Sequence, residues 1–333
     1  MAILRCNNCN YLREVPNEHV GKTVKCPVCE HPAPIHDAVT LVKKVIEKYQ
    51  LLLGKYQELD QPNTEADEDS ALASPNIVSR DKVLDLHNTT AMTNSAQFKP
   101  IIDWFKNRHI EIDVNLQALD TQGFYDEVAV ELGDNYDVLQ PVLDKIKKAQ
   151  RSDYLSLALN ISNNNQKEIK TITEFCRNLY DYAFVAKYFY NKKDKRIHLT
   201  LQTAPSIINF FNGEWLEWYV FMKLVKVFYD KKGLFSCLRS FVVNFPNEDK
   251  HEIDIFFLIN QRMPLFIECK SGEFRSMIEK YNKLRKRLNI DKTHFLVLVL
   301  GLNEEQTNGL TNMHDVTFVN ETNFIEHITQ LSS

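Results

Sequence analysis

Asp254, Glu268 and Lys270 are the residues whose types and spacing could do chemistry together. They stand in "HEIDIFFLINQRMPLFIECKSG", residues 251–272. Asp254 lies in one apolar run, a polar turn follows, and a second apolar run ends Glu268-Cys269-Lys270. In a strand, positions two apart face the same side, so Glu268 and Lys270 point together. If the two runs pair as a hairpin across "NQR", Asp254 comes near Glu268 and the three share one site. Two carboxylates converging at a sheet end form a hard-oxygen set that suits Mg²⁺ or Mn²⁺, with room for waters and phosphate oxygens. The backbone carbonyl of Cys269 could add a ligand while its side chain faces the core. A lysine beside such an ion can orient or deprotonate an attacking water and balance developing charge. Those parts make a hydrolytic phosphodiesterase centre. The plainer reading is a solvated Glu–Lys edge pair worth ~0–1 kcal/mol. It leaves Asp254 inside "EIDIFF" without a reason, because an unpartnered buried carboxylate is costly. Glu252 shares a face with Asp254 by alternation and could assist; His251 is adjacent in sequence.

A second set of chemically capable residues opens the chain. Cys6-x2-Cys9 and Cys26-x2-Cys29, with 16 residues between the pairs, suit a tetrahedral Cys₄ zinc site. All four positions are cysteine, so no coordination site stays open for zinc hydrolysis. A module of this size cannot build a sufficient core alone, and the metal would hold it together. Its role is structural, or it is recognition of nucleic acid or protein through Arg5, Arg13, Lys22, Lys25 and the turn at Gly21-Lys22.

The elements that must position these residues can be read from the rest of the chain. It has 333 residues, 44% hydrophobic and 25% charged, enough for two domains plus a small module. Net charge is −4, so any nucleic-acid surface must be local. The start lacks the pattern of a signal peptide, and no apolar run has membrane-spanning length, so a cytoplasmic protein with no membrane partner is expected. Seven cysteines, four of them in the two pairs, indicate metal binding plus isolated thiols rather than a disulfide framework. Nine glycines argue against a glycine-rich nucleotide loop.

Residues 1–35 read as a zinc ribbon and 37–60 as a helix with Asp37 as N-cap. Val42, Val45, Tyr49, Leu52, Tyr56 and Leu59 alternate at three and four, which fits either a dimerising coiled coil or a helix lying on its own protein. Residues 61–94 read as a flexible linker, acidic and rich in Ser, Asn and Pro at its start. Residues 95–203 read as a small α/β domain of unknown role, with "KEIKTITEFCRNLYDYAFVAKYFY" as one long helix. Residues 205–333 read as helix, three strands, helix, strand, then one more strand and helix. The helix after the motif gathers Lys280, Lys283, Arg285, Lys286 and Arg287, either as a solvated face or beside substrate phosphates.

Asp254 and Glu268-x-Lys270 after a short hairpin, with Glu217 on an upstream helix, resemble the PD-(D/E)xK nuclease superfamily. "GEWLEWYV" (213–220) is similar to the corresponding helix in the nuclease domain of CRISPR-associated CARF–nuclease effectors. The resemblance covers about residues 205–330. It implies a restriction-endonuclease-like mixed sheet flanked by helices, preceded here by the small α/β domain and the ribbon. It also implies an Mg²⁺- or Mn²⁺-dependent endonuclease acting on DNA more readily than RNA, in prokaryotic defence or DNA processing. Asp254 and Glu268 would bind the ion, Lys270 would assist the water, and Glu217, or less readily Glu214, would add a nearby carboxylate. Residues 95–203 are too short for the cyclic-oligoadenylate sensor of those effectors, so that regulation is not implied; an activator or partner protein stays open. Paired active sites for cutting two strands, and the heptad helix, favour a homodimer or higher homo-oligomer. The competing class is a non-catalytic zinc-ribbon adaptor whose carboxylates are structural.

Overall fold

A computed structural model describes residues 2–6, 11–27, 29–43, 46, 95–119, 124–152, 155–231, 233–245 and 250–331. The chain divides into two compact units, Met1–Val78 and Ser79–Ser333. The expected linker and most of the 37–60 helix, with its heptad seam, lie outside the described residues.

In the first unit, strands β1 (Ala2–Arg5), β2 (Leu12–Val15), β3 (Thr23–Lys25) and β4 (Pro32–Asp37) form an antiparallel sheet in the order β2-β1-β4-β3. Ala2, Leu4, Ala33 and Ile35 are buried together with Cys6 and Cys26, a core of very few side chains. Residues 38–43 are helical. The Thr40 amide and hydroxyl donate to Asp37 Oδ1 at 2.9 and 3.0 Å, so Asp37 caps this turn as expected.

The second unit runs α1 (Ser95–Lys106), β5 (Glu111–Asp113), α2 (Tyr125–Asp134), α3 (Tyr136–Arg151), β6 (Ser156–Asn160), α4 (Gln166–Asp181), β7 (Val185–Asn191) and β8 (Arg196–Leu201). It continues α5 (Pro205–Asn209), α6 (Trp215–Asp230), β9 (Phe235–Asn244), β10 (His251–Ile259), β11 (Met263–Lys270), α7 (Ile278–Leu288), β12 (Phe295–Val299), α8 (Glu304–Met313), β13 (Thr317–Val319) and α9 (Phe324–Leu331). Six strands form a mixed sheet in the order β13-β12-β11-β10-β9-β5, parallel across β11, β12 and β13 and antiparallel elsewhere. This is the expected mixed α/β sheet flanked by helices. Trp104 and Phe105 of α1 pack against Phe256 and Phe266, while Phe221 and Phe228 of α6 pack against Phe257. Neighbouring positions of β10 therefore face opposite layers, and every residue from Ile253 to Ile259 is buried.

Three expectations are corrected. The boundary placed near 203 does not separate the sheets, because Ile112 of β5 pairs with Val243 of β9 and α1 packs on the same sheet. Residues 95–119 therefore belong with the large sheet. Residues 124–201 form a three-stranded antiparallel sheet, β6-β8-β7, with α2, α3 and α4. Gly133 of α2 lies flat against the Tyr219 ring of α6, where a Cβ would overlap the ring. The single long helix from Lys167 onward ends at Asp181. Ala183 takes a left-handed φ of 61°, and "VAKYFYN", β-branched and aromatic, enters the sheet as β7. Finally, the strand order anticipated for the C-terminal third omitted α8. Parallel β12 and β13 require a crossover, which "EEQTNGLTNM" supplies behind an Asn303–Gln306 capping box.

Candidate active site

The hairpin that carries the motif forms because Asn260 and Gln261 both adopt positive φ, 51° and 56°, closing a tight turn in "NQR". Its register sets Phe256 against Phe266 and Ile255 against Ile267, and there the ladder between β10 and β11 ends. The next pair, Asp254 and Glu268, stands at the opening. β11 stays tied to β12 through Glu268, Cys269 and Lys270. With its ladder finished, β11 turns the Cys269 amide onto the Asp254 side chain, donating to Oδ2 at 2.7 Å.

Lys270 reaches both carboxylates. Its Nζ lies 3.2 Å from Asp254 Oδ2 and 3.8 Å from Glu268 Oε2. Asp254 is 8% exposed and Glu268 4%, so neither belongs to a solvated edge pair. Asp254 Oδ2 takes the Cys269 amide and the Lys270 ammonium, which leaves Oδ1 outside both contacts. Glu268 Oε1 is buried with no hydrogen-bond partner. Burial first, then the charge of Asp254, raises the Glu268 carboxyl well above its ordinary value. Burial works to lower the Lys270 ammonium, but Asp254 and Glu268 outweigh it and hold the amine protonated.

Glu217, in the first turn of α6, completes the group from another element. Its Oε2 accepts from Arg239 NH1 at 3.1 Å and from the Ser240 hydroxyl at 2.9 Å. Burial, then the charge of Asp254, pushes Glu217 up to about 8 against the pull of Arg239. Glu214 is half-buried, and burial first raises its carboxyl. Glu252 is exposed.

Arg239 and Ser240 of β9 also belong to the site, although the sequence analysis did not single them out. The signal was present as an Arg and a Ser inside "FSCLRSFVV". Arg239 is 4% exposed, with Nε donating to the Ala118 carbonyl at 2.9 Å and its guanidinium 4.1 Å over the Trp218 ring. Ser240 has a φ of 45°, a left-handed kink rarely tolerated outside glycine. The kink interrupts the β9–β10 ladder opposite Asp254, between the pairs Ile253–Phe241 and Ile255–Arg239. Tyr281 of α7 also borders the site, with Lys270 Nζ 6.0 Å from its ring.

The five basic residues of α7 divide. Arg285 and Lys286 pair with Asp315 at 3.7 and 2.7 Å, Lys283 with Glu279 at 3.5 Å, and Arg287 lies over Phe245. Lys283, Lys286 and Arg287 are exposed, whereas Arg285 is largely buried and donates to the Ile290 carbonyl. Lys280 differs, since its charge acts on Glu268. With Lys250, His251, Glu279 and Lys283 it lines a groove of about 580 Å³.

In the first unit, Cys6, Cys26 and Cys29 converge, their sulfurs all within 4.8 Å of one another. Cys6 and Cys29 stand 3.4 Å apart, too far for a disulfide. Four thiolates ~2.3 Å from one ion would sit ~3.8 Å from each other, so this spacing fits a zinc site. The hairpin closures Cys6 N–H to Tyr11 O and Cys26 N–H to His31 O, 2.9 and 2.8 Å, hold two of the sulfurs. Cys9 lies outside the described residues. Among the described residues no helix is long and apolar enough to cross a membrane.

No protein-family model matches the chain, and no curated protein matches it. Solved structures do resemble it. Protein VC1899 from Vibrio cholerae aligns at TM-score 0.46 and 16% identity, over 70% of this chain and 60% of that one. Can2 from Sulfobacillus thermosulfidooxidans, in complex with cyclic tetra-adenylate, aligns at TM-score 0.47 and 13% identity, over 69% of this chain and 59% of that one. This chain thus spans about 60% of the length of these neighbours.

Proposed function

We propose that the second unit is a divalent-metal-dependent nuclease hydrolysing phosphodiester bonds, DNA more readily than RNA. The observation that carries it is the meeting of Asp254, Glu268 and Lys270 where the β10–β11 ladder opens, with a buried oxygen of Glu268 left unpartnered. An orphaned carboxylate oxygen beside a second carboxylate is a donor set suited to Mg²⁺ or Mn²⁺. Glu268 and Asp254 Oδ1 would hold the ion, with the Cys269 carbonyl as a further ligand. When bound, the ion supplies charge for the phosphoryl oxygens and acidifies water. Lys270, kept protonated by its two neighbours, acts as a cation that orients water and offsets charge rather than as a base. Glu217, clamped by Arg239 and Ser240, presents a third carboxylate beside Asp254. The setting in prokaryotic defence or DNA processing rests on the motif resemblance alone.

Cys6, Cys9, Cys26 and Cys29 are proposed to hold one structural zinc, supported by the convergence of three of them. Elemental analysis should find about one zinc per chain, lost in Cys26→Ser.

The deciding experiment incubates the full chain with plasmid, single-stranded DNA and RNA in Mg²⁺ or Mn²⁺. Turnover lost in Glu268→Gln and Lys270→Ala variants that unfold at the parent's temperature supports the nuclease. Turnover unchanged in both variants overturns it. Without turnover, Mn²⁺ binding abolished by Glu268→Ala indicates an enzyme awaiting an activator, whereas no Mn²⁺ binding at all favours the adaptor. A homodimer, the proposed assembly, is read by sedimentation.

A further inference from the structure

The three-stranded sheet carries a pattern that the catalytic reading does not use. Its inward side is apolar, with Leu159, Ile197 and Leu199 almost fully buried against the helices. Its other side is formed by cross-strand rows fixed by register. The middle row runs Ala158, His198, Phe189. The rows beside it run Ser156, Thr200, Lys187 and Asn160, Arg196, Asn191. All nine are exposed except the half-buried Thr200 and Asn191, and no carboxylate stands among them.

Phe189 is 62% exposed on the edge strand β7 of this face, at a position where a polar residue would cost nothing. Its ring lies 6.3 Å from the ring of His198 on the central strand at 34°, so two tilted rings share the middle row, with only the Ala158 methyl group beyond His198. A cation stands in each flanking row, Lys187 on one side and Arg196 on the other. The β7–β8 turn adds Lys192, Lys193 and Lys195 against one acid, Asp194, which accepts from the Asn191 amide at 2.8 Å. In a chain of net charge −4 this is a local positive field around an aromatic centre.

We infer that this face binds single-stranded nucleic acid, with unpaired bases stacked on Phe189 and His198 and the backbone phosphates met by Lys187, Arg196 and the turn lysines. Flat sheets with exposed rings take bases because every base offers a π-face, and flanking cations follow the backbone. A duplex hides its bases in the stack and cannot use the rings. A partner protein of acidic surface would be served by the cations but gives no role to the ring pair. The site does not rest on the nuclease reading, because binding is measured without turnover.

The test is fluorescence anisotropy of the full chain, without added Mg²⁺ or Mn²⁺, using labelled oligo-dT and oligo-U strands about 20 nucleotides long and a duplex of equal length. Single strands should bind more tightly than the duplex, with the dT and U arms telling DNA from RNA. Phe189→Ala should weaken binding about 10-fold and Phe189→Trp should retain it. The pair Lys187→Glu and Arg196→Glu should weaken it further and flatten its salt dependence. These side chains are exposed, so each variant should unfold at the parent's temperature. No binding by the parent, preference for duplex, or parental affinity in both the Phe189→Ala and charge-reversed variants overturns the proposal. Parental affinity combined with loss of a dimer in Phe189→Ala would instead assign the face to a second copy of the chain.

Discussion

Among the described residues of the second unit, the six-stranded sheet is covered on both faces and the three-stranded sheet on one, and their polar residues are arranged accordingly. In the large sheet the acids sit where β10 and β11 part, each tied through one oxygen to an internal partner while Glu268 Oε1 is left without one. Asp254 takes a backbone amide and an ammonium; Glu217 takes a guanidinium and a hydroxyl. Burial makes each missing partner costly, so the side chains are held in one arrangement. In the small sheet Lys187, Phe189, Arg196 and His198 face outward and are independent of the fold. The first arrangement suits a single ion and a small reacting group. The second tolerates a long, variable ligand, because no side chain there must be placed to a fraction of an ångström.

Exchanging the logic of the two sheets by mutation tests this. The largest effect is expected at Glu268, where Ala should reduce nuclease turnover well beyond the ~10- to 100-fold typical of losing a supporting contact. Phe189→Ala should leave the rate on a short, tightly held substrate close to parental. Equal losses would break the comparison, and a gel assay of initial rates distinguishes the outcomes.

Stability should separate the sheets next. Phe256 is fully buried between α1 and β11, so Phe256→Ala should cost about 3–5 kcal/mol. Phe189→Ala should stay within ~0.5 kcal/mol in the same denaturant titration. Arg239→Ala removes the buried partner of Glu217, the Ala118 carbonyl and the Trp218 ring together and should cost about 3 kcal/mol. Replacing both partners, Arg239→Met with Glu217→Leu, should recover part of it, whereas Arg196→Ala should cost almost nothing.

Strong local signals were legible in the sequence. The "NQR" turn, Asp254, the alternation that aligns Glu268 with Lys270, and the Cys-x2-Cys spacing all depend on neighbours a few residues away. Asp37 as a cap was equally local. What escaped depends on contacts distant in sequence. Membership of β5 in the large sheet is decided by Val243, more than a hundred residues later. The end of α4 is decided by a left-handed Ala183 and by a place in the sheet for aromatic residues that a helix could also carry. Arg239 and Ser240 stood out only as polar residues in an apolar strand; the kink at Ser240 becomes intelligible with the opposing Asp254 and the Glu217 carboxylate. The open face was unreadable until register put Phe189 and His198 side by side.

The last effect is a slope with pH, to which the acids of the large sheet should contribute most. Unfolded, Glu217 would titrate at 4.5; burial and Asp254 push it up to about 8 in the folded chain. Between those values the native state holds a proton that the unfolded state has lost, so stability falls as pH rises through the window. One such proton gives at most ~1.4 kcal/mol per pH unit. Urea midpoints of the Mg²⁺- and Mn²⁺-free chain should therefore drop from pH about 5 to about 8, and Glu217→Gln should flatten the fall. Glu268 shifts in the same direction and leaves a residual slope in that variant. Added Mn²⁺ should protect more at the higher pH, where the acids are easier to strip of protons. Lys187→Ala on the open face should leave the slope unaltered. A pH profile that Glu217→Gln does not change would mean that the carboxyl is already ionised against Arg239, and the acids at the β10–β11 opening would then repel one another enough to require a cation even at rest.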